Sequence, residues 1–439
     1  MKKSISLLLS GVLLTGAAQA ADLMSVYREA VGYDAQIASA RAGLEAGREK
    51  LPQARAGLLP AIGVAASTIW NKTETTLSAP PVTMDVNYNT NGWTATLTQP
   101  LFRWQNWVAY LQGQLSVLLA EAQFEAAKQD LIVRVAQAYF DVLLAQETLT
   151  AARAQQSAIS EQLESAKRNF EVGTATITDT HEAQARFDLA VATEIAARND
   201  LMSKNEALRI ITGTGPETLK TLRAGTQIGT PQPDDIGKWA ETAENANFSV
   251  AQSKAAYEIA NEEVSKQRAG HYPTLDIVAT NGKTGAGYNL TTGGGVETKA
   301  STIGLQLSLP IFAGGALASK DREAVALREK ARADLDNARR QAALTARQAY
   351  LGVTSGLSQV KAYEAALASS QAALDSNKLG YEVGVRINID VLNAQGQLFD
   401  TIQKLAKARF DTLIAQLKLK AAAGNLTEDD VLAINALLE

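Results

Sequence analysis

Apolar positions along this chain follow two different periods. The longest stripe is helical. Leu131, Val135, Ala138, Val142, Ala145, Leu149 and Ala152 alternate in steps of four and three, and the stripe resumes at Ile159, Leu163, Ala166 and Phe170. A mean period of 3.5 marks helices wound around partners. Neither proline nor glycine interrupts Gln114 to Val172. The pattern therefore predicts one helix from about Trp104 to Phe170, roughly 100 Å long at 1.5 Å per residue. An ordinary coiled-coil rod would carry the same stripe. Its many alanines let neighbouring helices approach closely.

The second period is 2. Ile62, Val64, Ala66 and Trp70 share one face, and Trp93, Ala95 and Leu97 alternate with Thr94, Thr96 and Thr98. Further on, Leu275, Ile277 and Ala279 share a face, and Ile303, Leu305, Leu307 and Leu309 alternate with Thr302, Gly304, Gln306 and Ser308. These are two-faced strands of about ten residues, long enough to cross an outer membrane within a barrel. Trp70 and Trp93 are expected at strand ends, where interfacial aromatics belong. A soluble half-buried sheet gives the same alternation.

Prolines mark the changes of period. Pro60 and Pro273 fall where a helix gives way to a strand, and Pro100 and Pro310 where a strand gives way to a helix. Thr75 to Asn91 and Lys283 to Thr298 are rich in Gly, Pro, Asn and Thr, which predicts outward-facing loops. The run Gly293-Gly294-Gly295 lacks the Lys-Ser/Thr ending of a phosphate-binding loop, so it too reads as loop. Gly173 and Gly384 follow the long helices and read as hairpin tips. Helical patterns return from Thr180 to Ile211 and from Val391 to Ala423, and a short one opens at Thr427 and Glu428.

The two periods occur twice because the chain is duplicated. Glu171-Val172-Gly173 recurs 211 residues later as Glu382-Val383-Gly384, and Ala138-Tyr139 recurs at the same offset as Ala349-Tyr350. Thr178-Asp179 falls on Ile389-Asp390, and Ala183-Gln184 on Ala394-Gln395. This divides the chain into a first repeat over 21–212, a linker or equatorial segment over 213–238, a second repeat over 239–424 and a C-terminal equatorial segment over 425–439. Function is expected on the pseudo-symmetry axis.

Composition narrows the class. Lys2 and Lys3, the apolar run Ile5 to Leu14 and Ala18-Gln19-Ala20 read as a signal peptide over 1–20, too short to span a bilayer. Cysteine is absent, which excludes disulfides and thiolate metal sites. Formal net charge is −4 with both signs interspersed, so no nucleic-acid surface is expected. The two histidines, His181 and His271, have no metal-ligand spacing. No catalytic constellation is present, and neither enzyme activity nor a cofactor is expected. Four candidate membrane strands cannot close a barrel, because bare edges are intolerable in lipid. Two chains would supply eight strands and three would supply twelve. A soluble periplasmic coiled-coil adaptor is the alternative reading, although it has no use for the strands.

In their order and duplicated spacing, Arg268-Ala269-Gly270-His271-Tyr272-Pro273-Thr274-Leu275, Leu309-Pro310-Ile311-Phe312-Ala313-Gly314-Gly315, Tyr381-Glu382-Val383-Gly384 and Ile389-Asp390-Val391-Leu392 resemble the TolC family of outer-membrane efflux channels. The resemblance covers essentially the whole mature chain. It implies an α+β membrane protein: a long α-helical coiled-coil tunnel joined to a transmembrane β-barrel, closed by trimerisation. It also implies a homotrimer in the outer membrane of a Gram-negative bacterium, extending into the periplasm. The partners it implies are outer-membrane lipid, a periplasmic adaptor (membrane fusion) protein and an inner-membrane pump or ABC transporter. The chain would then be the passive exit duct of an efflux pump or type I secretion system. In the family, polar links between helix pairs close the periplasmic mouth. The matching positions are Tyr381 and Arg386 against Thr178 and Asp179, with Gln162 on a neighbouring helix. Asp390 matches a ring at the constriction. The next ring position, usually Asp, is Asn393 here, a departure that puts a double acidic ring in doubt. Gly173 and Gly384 would mark the tips that an adaptor touches.

Overall fold

The computed structural model describes residues 20–79, 81–215, 218–223, 225–289 and 293–439, with backbone alone at Leu77. The expected signal peptide lies outside the described residues except for Ala20, as do residues 216, 217 and 224 of the expected linker. Three helices, α1 (Leu23–Tyr33), α2 (Ala35–Arg48) and α3 (Lys50–Ala56), lead into strands β1 (Ala61–Ser78) and β2 (Pro81–Phe102). The helical hairpin α4 (Trp104–Glu171) and α5 (Ile177–Thr212) follows. The same order then recurs: α6 (Ile236–Ala246), α7 (Phe248–Arg268), β3 (Thr274–Ala286), β4 (Val296–Ser308), α8 (Ala316–Glu382) and α9 (Asn388–Ala422), with α10 (Glu428–Asn435) last. The 68-residue α4 has the bounds its stripe predicts to within a residue. Among the described residues no helix is long and apolar enough to cross a membrane.

The chain forms two compact units, and each draws on both copies of the repeat. One comprises 40–125 and 248–340. Its centre is a four-stranded antiparallel sheet in the order β1-β2-β3-β4. Ile62, Leu97, Ala279 and Ile303 stand opposite one another across all four strands. Ile62, Val64, Trp70, Ile303, Leu305 and Leu307 lie bare on this face, the last three at 80%, 69% and 69% exposure. The adjacent row, Gly63, Thr96, Thr280 and Thr302, points to the other face. There the hydroxyls of Thr280 and Thr302 lie 2.6 Å apart. Pairing one apolar with one polar face suits a wall between lipid and water.

The strands outrun their sequence pattern. β1 has 18 residues and β2 has 22, and most of the expected loop from Thr75 to Asn91 is ladder, with Thr75 opposite Met84 and Thr76 opposite Thr83. Polar side chains sustain this extension. Asn71 Nδ2 donates to Thr90 Oγ1 at 2.9 Å, and Asn89 Nδ2 to Thr68 Oγ1 at 2.8 Å. Thr and Tyr suit a pleated surface, so polarity alone misread the segment as loop. Trp70 and Trp93 consequently sit within strands, opposite Asn89 and Ala66, rather than at their ends. The second expected loop also shrinks, since β3 reaches Ala286 and β4 begins at Val296. Arg103, just before α4, fastens that helix to the sheet. Its Nε and Nη2 donate to Asp276 Oδ1 and Oδ2 of β3 at 2.8 and 2.6 Å, a bidentate geometry that suits a carboxylate only 5% exposed.

The other unit comprises residues up to 39, 126–247 and 341–439. Its described part consists of helices and their connecting segments, which carry two isolated bridges, Ala21 to Leu219 and Leu222 to Leu438. These carry the segment after α5 and the C-terminal end into one layer. Of the predicted stripe, Leu131, Val135, Val142, Ala145, Leu149 and Ala152 are buried. So are Ile132, Ala136, Tyr139, Phe140 and Leu143, which lie outside the stripe. α4 is thus packed on two faces. Phe140 stacks on Phe410 of α9, with ring centroids 5.4 Å apart, and the Tyr139 hydroxyl donates to the Lys220 carbonyl at 2.8 Å. In the second copy Gly356 of α8 is required, because a Cβ there would collide with Thr412 of α9.

Asp34 caps α2 through its contact with the Ile37 amide, and it receives Arg134 Nη1 and Nη2 at 2.9 and 3.1 Å. The guanidinium contact holds its carboxyl below the ordinary value of 3.8. The stabilisation is therefore complete above that value and is lost as pH falls through the lower folded-state pKa. Arg134→Gln strands a buried carboxylate and should cost about 3 kcal/mol per chain at neutral pH. Urea unfolding followed by helical circular dichroism should show that loss, and the gap to the parent protein should narrow as pH drops below about 4.

Candidate functional site at the helical hairpin tips

The duplicated tips have the same backbone. After α4, Gly173 takes φ 79°, and the amides of Thr174 and Ala175 donate to the Asn169 carbonyl at 2.8 and 3.1 Å. After α8, Gly384 takes φ 79°, and the amides of Val385 and Arg386 donate to the Gly380 carbonyl at 2.8 and 3.0 Å. The left-handed turn favours glycine because it has no Cβ to clash. It lets each long helix reverse within a few residues.

The copies diverge immediately afterwards. α5 opens on a capping box. Thr176 Oγ1 accepts from the Asp179 amide at 3.2 Å, while Asp179 Oδ2 accepts from the Thr176 amide at 2.9 Å. The corresponding pair in α9 is Ile387 and Asp390, and isoleucine has no oxygen to cap with. Asp390 is thereby released from capping, and its carboxylate faces Arg386 Nη1 at 3.6 Å. One ancestral position thus serves as a helix cap in the first copy and as a charged group of the tip in the second.

The other expected links distribute as follows. The Tyr381 hydroxyl accepts from Asn169 Nδ2 at 3.0 Å, joining α8 to α4. Gln162 Nε2 donates to Asn388 Oδ1, joining α4 to α9. Asn393 Oδ1 accepts from Arg186 Nη2 at 2.9 Å, joining α5 to α9. Thr178 is exposed on the first turn of α5. Within one chain Arg386 engages Asp390 and Asp179 engages Thr176, so the structure does not bring Arg386 and Asp179 together. Sequence reasoning missed Asn169, Thr176, Arg186 and Asn388. Only Thr176 had left a signal, the Thr-x-x-Asp spacing of a capping box. Side-chain amides and a lone arginine on a helix carry no such mark.

Packing around these links is mixed. Ile159, Leu163 and Ala166 of α4 and Ala183 and Ala190 of α5 form one cluster with Leu392 of α9. Val391 and Leu398 of α9 pack instead with Leu374 of α8 and, at the edge, Tyr381. α9 is therefore clasped from two sides. It also buries Asn388 and Gln395, whose Nδ2 and Oε1 atoms have no partner. A buried unpaired polar atom costs about 1–3 kcal/mol, which makes the contact less firm than a fully apolar one. Arg386, Asp390 and Asn393 line a cleft between α8 and α9 together with Ser369, Ser370 and Asn377. The arrangement sets polar links between helices beside these apolar clusters.

The sequence matches the family model described as outer membrane efflux protein over residues 26–214 and 239–425. Outer membrane protein TolC of Escherichia coli strain K12 is 33% identical over 449 aligned residues, covering 100% of this chain and 90% of that protein. Alkaline protease secretion protein AprF of Pseudomonas aeruginosa is also 33% identical, covering 96% of this chain and 88% of that protein. Among solved structures, the outer membrane protein VceC of Vibrio cholerae superposes with a TM-score of 0.76 at 20% identity, over 92% of this chain and 96% of that one. The CmeC outer membrane channel of Campylobacter jejuni superposes with a TM-score of 0.79 at 18% identity, over 94% and 89%. At such identities these two similarities speak to the fold.

An alanine at 384 must hold the same left-handed turn at a cost of about 1 kcal/mol. Gly384→Ala should therefore speed hydrogen exchange of the Val385 and Arg386 amides about fivefold, leaving exchange around Phe140 unchanged. Mass-spectrometric exchange on the two peptides checks this.

Proposed function

The chain belongs to the outer membrane efflux protein family and is an outer-membrane channel, and from that premise we propose that it assembles as a homotrimer whose helical tips form a gated mouth. One observation carries the reading. Among the described residues the sheet has four strands, an apolar face laid bare, and two edge strands, β1 and β4, each paired on one side only. In lipid those edges must be paired, so copies of the chain must complete the wall. Two copies would make eight strands, whose interior side chains fill. Three make twelve and leave room for a conduit. Native mass spectrometry in detergent should give the mass of three chains. A stable monomer retaining its full strand content would sink the model.

Proteins similar to it are described as an outer membrane protein, a protease secretion protein and an outer membrane channel. The chain is accordingly a passive duct that serves an inner-membrane pump or ABC transporter through a periplasmic adaptor meeting the Gly173 and Gly384 tips. The transporter selects what enters. Deleting the gene and testing drug susceptibility and protein secretion together separates an efflux role from a secretion role.

At rest the mouth is mostly closed. The links Tyr381 to Asn169 and Gln162 to Asn388, which tie α8 and α9 to α4, support this reading, as do the exposed side chains of Arg386 and Thr178, which a neighbouring protomer can reach. Each exposed link contributes about 1 kcal/mol or less, and the links act together around the axis. Arg386→Ser and Tyr381→Phe should each raise single-channel conductance, and the double variant should exceed either. Trimer mass should not change. Unaltered conductance in a normally inserted double variant would reduce these residues to a solvated helix face.

A further inference from the structure

The tip carries a positive charge that the gate links do not use. Arg186 of α5 reaches across to α9, and its Nη2 donates to Asn393 Oδ1 at 2.9 Å. Among the described residues no carboxylate lies within ion-pair distance of it; asparagine is a neutral acceptor, so the guanidinium is held in place but not neutralised. Asn393 lies three residues after Asp390 on the same helix, and both side chains line the same cleft. Residues so spaced are neighbours on a helix surface. The hydrogen bond to Asn393 thus brings the Arg186 charge to the stretch of α9 that carries Asp390, and charges act over roughly 8 Å at physiological salt. Asp390 already faces Arg386 at 3.6 Å. Around this α9 turn each chain therefore presents Arg186 and Arg386 against Asp390.

We propose that Arg186 is a charge-selectivity determinant of the mouth, positioned by Asn393 to offset the negative potential of Asp390. This rests on the reading of α9 as the lining of that mouth. A narrow opening focuses the field of the charges around it. Asp390 alone would make the opening favour cations. Arg186, repeated around the axis, weakens that preference and lets anionic solutes approach. The hydrogen bond to Asn393 matters because it aims a long side chain that would otherwise spread its charge through solvent.

The test uses the full-length channel in planar bilayers, with reversal potentials measured under a potassium chloride gradient. Arg186→Gln should raise the potassium-to-chloride permeability ratio about twofold or more. Arg186→Lys retains the charge and should stay near the parent ratio. An unchanged ratio in Arg186→Gln overturns the proposal. So does an Arg186→Lys ratio equal to that of Arg186→Gln, because shape rather than charge would then be at work. Asp390→Asn separates the two levels of the argument. If it lowers the ratio while Arg186→Gln leaves it alone, the mouth stands and the role of Arg186 falls. If neither moves the ratio, both fall.

Discussion

Backbone groups in a membrane must find partners within protein, because hydrocarbon offers none. A sheet of four strands with β1 and β4 at its edges leaves two rows of such groups unpaired. Its face of Ile62, Leu97, Ala279 and Ile303 equally has no place in water. On the proposed reading, assembly answers the unpaired edges and membrane insertion the bare apolar face. The Arg103 to Asp276 clamp lies where α4 leaves the sheet, and a bidentate ion pair on a nearly buried carboxylate fixes direction as well as distance.

Duplication supplied the architecture, and divergence between the copies supplied the site. Both tips reverse through a glycine at φ 79° with matching amide contacts. At the next turn Thr176 and Ile387 part company. The threonine engages Asp179 in a cap, and the isoleucine releases Asp390. A single side-chain oxygen decides whether an aspartate stabilises its own helix or faces other groups at the tip. The same helix, α9, is clasped by apolar side chains from α4, α5 and α8 yet buries unpaired amide atoms at Asn388 and Gln395.

Much of the fold was legible in the chain. The heptad stripe gave α4 to within a residue because a long helix needs only local periodicity and freedom from proline. The alternation of Ile303, Leu305 and Leu307 gave β4 and its bare face, since a strand's two faces are written directly into odd and even positions. The extended β1–β2 hairpin was not legible. Its outer half is polar, and polar alternation of Thr, Asn and Tyr looks like loop until cross-strand partners such as Asn71 and Thr90 come into view. The second buried face of α4, at Ile132, Tyr139 and Phe140, was also hidden, because a seam for one partner says nothing of another.

At the tips, sequence by itself determined the two glycine turns, the duplicated offset and the set of polar residues brought near one another. Backbone conformation and repetition are local or self-referential, so one chain suffices to read them. Only tertiary structure decided the pairings between helices: Tyr381 with Asn169, Gln162 with Asn388, and Arg186 with Asn393. Hydrogen bonds between helices depend on how far one helix is rotated and shifted against another. That rotation is set by the apolar clusters packed along them, and no residue spacing within a single helix encodes it.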